Sequence, residues 1–183
     1  EFLSSSQALI ALLPKVSLTK TLILRSIDAL NAVSKALEQL KAEMRTLSTQ
    51  LPEYPVVMAM RGVGNSLGPQ LMAELGDVTR FTHRNAITAF AGVDPGADQS
   101  GTHEAKSTRA SKSGPPELRK ALFLLMDCLL KTMPSDDPVY RFMDKKRAEG
   151  KPYLVYMTAG ANKFLRIYYG RVKEYLASLE SAD

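Results

Sequence analysis

Apolar side chains recur at alternating intervals of three and four from Leu30 through Val33, Leu37, Leu40, Met44 and Leu47 to Leu51. No Gly or Pro interrupts Val16 to Gln50, so the stretch predicts one long helix with a narrow apolar seam and Lys35, Glu38, Lys41, Glu43 and Arg45 off it. Such a seam suits a coiled coil that pairs with another helix or subunit; it also suits a helix packed on its own domain. Upstream, residues 3–13 form a short apolar segment that Pro14 ends. Downstream, Leu51-Pro-Glu-Tyr-Pro55 breaks the pattern and marks the best boundary, dividing the chain into residues 1–51 and 52–183.

Beyond that boundary the pattern is again helical, in shorter pieces. Val56–Met60 reads as a short helix, Arg61-Gly-Val-Gly64 as a tight hairpin, and Ser66–Leu75 as a second helix with Ser66 as N-cap and Pro69 in its first turn. Thr82–Ala91 reads as a third, stopped by Gly92. Residues 93–116 contain few apolar side chains and read as one long loop. Glu117–Thr132, Pro138–Ala148 and Tyr153–Leu179 complete the set. No period-two strand pattern stands out, and the expected fold is all-α: a long coiled-coil helix, then a helical domain with a helix-hairpin-helix-like element near residues 56–76.

Composition narrows the function classes. The 183 residues carry a formal charge of +5, which permits an anionic partner without naming one. The excess is local: residues 100–125 hold five basic side chains, Lys106, Arg109, Lys112, Arg119 and Lys120, against only Glu104 and Glu117. A single cysteine, Cys128, excludes an internal disulfide, and two histidines leave little for a zinc site, so no metal is assigned. A reducing, cytoplasmic setting is the expectation, with no membrane association, since no apolar run approaches the roughly 20 residues of a span. Glu1-Phe2 reads as a cloning remnant and the chain as a fragment of a longer protein.

Two constellations could carry chemistry. In the hairpin, Gly62 and Gly64 would bring backbone N–H groups close to a phosphate at the start of the next helix, a grip indifferent to base sequence. The same pattern occurs in plain packing turns, and the acidic balance of residues 51–99 favours that alternative. In the loop, Gln99-Ser100-Gly101 precedes the basic cluster. A serine hydroxyl attacking a phosphodiester needs an unhindered approach, which the adjacent glycine provides, and cations for the charge growing on phosphoryl oxygens. A solvated basic loop explains the same residues. Weaker candidates have blander explanations: His83 and His103 as surface or capping groups, Asp136-Asp137 as a helix cap, Tyr168-Tyr169 and Cys128 as core. Asp94 and Asp98 lack a third carboxylate for a metal.

Taken in order, the pieces resemble a known family. Arg61-Gly-Val-Gly64, Leu71-Met-Ala-Glu-Leu-Gly-Asp77 with Arg80-Phe81, Ala89-Phe-Ala-Gly92 with Asp94-Pro95, Gln99-Ser100-Gly101, Ser111-Lys112 with Gly114, Leu118-Arg119 and Lys163-Phe-Leu-Arg166 follow one another across residues 54–173. This series resembles the C-terminal domain of the IS-one-ten (IS-one-one-one-one) family of bacterial insertion-sequence transposases. The resemblance implies a DNA recombinase guided by a structured bridge RNA. It further implies an N-terminal RuvC-like domain whose acidic residues hold magnesium, and a coiled coil matching the 16–51 helix, through which the chain would form homo-oligomers. Ser100 would be the nucleophile; charge and nearness in sequence, not the resemblance, make Lys106, Arg109, Lys112, Arg119 and Lys120 the expected nucleic-acid contacts.

The chain departs from the family in having Arg61 where Pro is usual and Pro115 where Asn is usual. Without the acidic domain, the fragment is expected to bind or dimerise with no turnover. The rival expectations are a non-catalytic helix-hairpin-helix nucleic-acid-binding module and a coiled-coil adaptor.

Overall fold

The computed structural model describes residues 17–94, 99–100, 103–104 and 110–181. The apolar segment 3–13, Asp98, Lys106 and Arg109 lie outside the described residues, as do the side chains of Ser100 and His103. The fold is all-α, with seven helices among the described residues: α1 Ser17–Ser48, α2 Tyr54–Met58, α3 Leu67–Leu75, α4 Arg84–Ala91, α5 Pro116–Thr132, α6 Pro138–Ala148 and α7 Tyr153–Glu180. A 3₁₀ turn, Val78–Arg80, joins α3 to α4. A two-residue antiparallel ribbon pairs Gln99 with Glu104 and Ser100 with His103. Four paired residues are too few to leave an alternating pattern, which is why sequence periodicity shows no strand there.

The chain forms two compact units, residues 1–43 and 44–183. In the first, the seam of α1 is open to solvent: Val33 is 67% and Leu40 62% exposed. The second contains the whole described hydrophobic core, which runs from Val57 to Val172. Its organiser is α7, about 42 Å long at 1.5 Å per residue, which packs against α4, α5 and α6. Leu118, Leu122, Leu125 and Leu129 of α5 recur at intervals of three and four and are buried together with Met157, Leu165 and Tyr168 of α7.

Local chemistry explains the boundaries. Pro55 sits in the first turn of α2, where its missing N–H costs no helical bond, so the helix starts at Tyr54 and not after the proline. Ser66 precedes α3 but makes no side-chain cap bond. His83 caps α4, its Nδ1 accepting from the N–H groups of Asn85 and Ala86, both at 3.2 Å. Asp137 caps α6 through Val139 and Tyr140, at 2.8 and 2.7 Å. Both residues therefore serve as caps. The Arg80 guanidinium donates to the Leu75 carbonyl at 2.9 Å and lies over the rings of Phe81 and Phe90, at 4.6 and 4.4 Å, tying α3, the 3₁₀ turn and α4 together.

Candidate nucleic-acid interface

The basic loop begins and ends at one clasp. Gly92 closes α4 in the left-handed conformation, φ 65°, which a glycine adopts without strain. There its carbonyl accepts from Lys112 N–H and the Asp94 carbonyl from Ser111 N–H, each at 3.1 Å. The Ser111 hydroxyl donates to Asp94 Oδ1 at 2.8 Å. Gly114 crosses so close to Phe90 that a Cβ there would collide with the Phe90 carbonyl oxygen. Arg119, from the first turn of α5, donates to the Gly114 carbonyl. The clasp thus fixes residues 92–94 beside 110–114. Lys112 holds φ 54°, an uncommon conformation for a side-chain-bearing residue and one often found at functional positions.

A groove of about 1050 Å³ opens beside the clasp. Its rim is formed by Val93, Asp94, Ala110 and Lys112, and its walls come from Phe123 of α5, Phe142 of α6 and the face of α7 carrying Leu154, Thr158, Lys163 and Arg166. Asn162 donates to the Val93 carbonyl at 3.4 Å and joins α7 to the rim. Lys163 Nζ lies 4.7 Å from the centroid of Phe142. Among the described residues, Lys112, Lys163 and Arg166 form no ion pair with a carboxylate. A second, smaller pocket borders the clasp and is lined by Lys112, Arg119 and Lys120.

The sequence-predicted residues fall into distinct positions. Lys112 lines the groove, whereas Arg119 is committed to the Gly114 carbonyl and Lys120 lies 4.0 Å from Glu117. Gly62, φ 79°, is turned into the core, where an added Cβ would meet the Leu129 side chain at 3.1 Å. Gly64 has open space around its Cα. Arg61 pairs with Asp136 at 2.8 Å, an interaction that holds the carboxyl of Asp136 below its ordinary range through the hydrogen bond first and the charge of Arg61 in support. Tyr168 is fully buried, and burial, with the Glu53 carboxylate adding to it, pushes its phenol well above the ordinary range. No cluster of three metal-ligating side chains occurs among the described residues, and no described helix is long and apolar enough to cross a membrane.

In the sequence, Lys163 and Arg166 belong to a motif that carries no site assignment. Their spacing of three places both on one face of a helix, which was legible. The opposing aromatic wall, contributed by α5 and α6, was not.

An all-helical domain with an open basic groove at the root of a serine-bearing loop is the class of molecule these features define. Residues 54–141 match the model of the Transposase IS116/IS110/IS902 family. Over 151 residues the chain is 25% identical to the pilin gene-inverting protein of Moraxella bovis, and equally to that of Moraxella lacunata. These alignments cover 80% of this chain and 46% of each relative, so the chain spans about half the length of the curated relatives it matches.

Proposed function

We propose that the chain is the serine-bearing part of a DNA recombinase that cuts and rejoins strands through a covalent phosphoserine link. The Ser100 hydroxyl attacks a phosphodiester; its oxygen–phosphorus bond forms as the bond to one deoxyribose oxygen breaks. The hydroxyl proton passes to a base, and the leaving oxygen is protonated. Attack by a second strand's hydroxyl on the phosphoserine reverses these events and reseals the backbone. A structured guide RNA, magnesium held by an N-terminal RuvC-like domain, and homo-oligomers formed through the 16–51 helix belong to the same reading, as does a cytoplasmic setting.

The observation that carries it is the placement, where the serine loop is rooted, of cations that form no ion pair among the described residues. Asp94 and Lys112 both line the groove. Ser100 lies six residues from Asp94, which limits its reach to about 20 Å of extended chain. A phosphate held by Lys112, Lys163 or Arg166 would lie within that radius, and these cations would neutralise charge developing on its oxygens. Lys106 and Arg109, on the same loop, and Arg119 and Lys120 at its exit would add to the field. Gly62 and Gly64 would contact backbone phosphates only if the hairpin meets the strand, with Gly64 the better exposed.

The decisive experiment uses the full-length protein. Ser100→Ala should abolish recombination while leaving DNA binding intact, and a nicked suicide substrate should trap a phosphoserine at residue 100 that mass spectrometry can map. Unchanged recombination by the variant, or an adduct on another side chain, removes Ser100 from the role.

A further inference from the structure

We infer that the groove between α5, α6 and α7 seats one unpaired nucleotide of a DNA strand, its base against Phe142 and Phe123 and its flanking phosphates on Lys163, Arg166 and Lys112. This deepens the recombinase reading and rests on it for the choice of DNA as occupant. Shape is the first argument. The cavity is of the size that takes a small organic group, and Phe123, Phe142, Leu154 and Val155 give it apolar walls. A duplex hides its base faces within the stack and offers only phosphates and base edges, which cannot fill such a space. An unpaired base can.

Charge is the second argument. Among the described residues, Asp94 is the one acidic side chain lining the groove, and it accepts from the Ser111 hydroxyl. The three cations on the same lining have no described carboxylate partner, unlike Arg61 with Asp136 or Lys131 with Asp127. Aromatic faces beside a track of cations are the arrangement that binds single strands without sequence preference, since every base has a face to stack and every link a phosphate to neutralise. The third argument is the state of Phe142. Its half-buried ring lies 4.7 Å from the ammonium of Lys163 and 5.9 Å from that of Lys146. Lys146 is already paired with Glu149 at 2.8 Å, whereas the Lys163 stem is long enough to move its charge onto a phosphate and leave the ring to a base.

Fluorescence anisotropy on the chain tests the inference with a short labelled oligodeoxythymidylate, a blunt duplex of equal length, the ribonucleotide counterpart, and a strand whose alternate bases are replaced by abasic sites. The deoxy single strand should bind about tenfold tighter than the duplex, and the abasic strand should lose about tenfold. Phe142→Ala should cause the same loss on the intact strand and little further loss on the abasic one. Lys163→Gln with Arg166→Gln should weaken all ligands and flatten the salt dependence by one to two phosphate contacts, about 0.7 in slope for each. If Phe142→Ala does not fold, the abasic strand on the unaltered chain carries the base test alone.

Equal binding of single strand and duplex, indifference to abasic sites, or tighter binding of the ribonucleotide overturns the proposal. Loss of recombination by Ser100→Ala alongside any of these results removes the groove and keeps the nucleophile. A single-strand preference alongside unaffected recombination does the reverse.

Discussion

Individual residues at the clasp decide whether the serine loop has a fixed root. A Cβ at Gly114 would strike backbone atoms of Phe90, which cannot rotate away as a side chain could. Gly114→Ala should therefore cost about 2–3 kcal/mol, whereas Gly64→Ala, with open space and no positive φ, should fall within about 0.5 kcal/mol of the parent. Urea unfolding monitored by circular dichroism distinguishes the two. A hairpin glycine essential for phosphate binding would make Gly64→Ala defective in DNA affinity with unchanged stability, so the same protein serves both measurements. Tyr168 invites the opposite substitution. Its hydroxyl is buried with no hydrogen-bond partner among the described residues, so Tyr168→Phe should leave stability unchanged or raise it by about 1 kcal/mol. A clear loss of stability would show that the hydroxyl is bonded in solution.

At the scale of elements, the helices were legible because each carries its own period and its own stop. Pro138–Ala148 appears in the structure with the bounds its sequence suggests, and α7 differs by one residue at its end. What escaped was decided by non-local partners or by short range. The 3₁₀ turn at Val78–Arg80 is fixed by Asp77 accepting from Thr79 N–H at 2.8 Å, a three-residue feature with no period to read. The groove joins residues 123, 142 and 163, which only packing brings together. For α1 the sequence left two alternatives open, and its seam is exposed in the single chain. Leu18, Leu22, Leu30, Val33, Leu37, Leu40 and Leu47 together present far more apolar surface than scattered exposed leucines would. The oligomer proposed through this helix predicts concentration-dependent self-association by sedimentation. Val33→Glu with Leu40→Glu should shift it to monomer without moving the urea midpoint of the helical domain. A parent chain that stays monomeric at high micromolar concentration would dismiss the pairing.

For the molecule as a whole, the distribution of buried surface separates assembly from folding. Every described buried apolar residue lies between Val57 and Val172, and the contacts of residues 44–183 form a unit distinct from residues 1–43. Stability of the helical domain should therefore not depend on the first 43 residues, because deleting them removes no member of the core and leaves α7 its packing against α4, α5 and α6. A chain of residues 44–183 should unfold cooperatively in urea with a free energy within about 1 kcal/mol of the parent, while losing the self-association assigned to the seam. Its affinity for the single strand should also persist, since Lys112, Phe142, Lys163 and Arg166 all remain. Loss of the cooperative transition would mean that the exposed seam supports the domain through contacts made in an oligomer. Association and folding would then be coupled, and the parent's unfolding midpoint would rise with protein concentration as mass action requires.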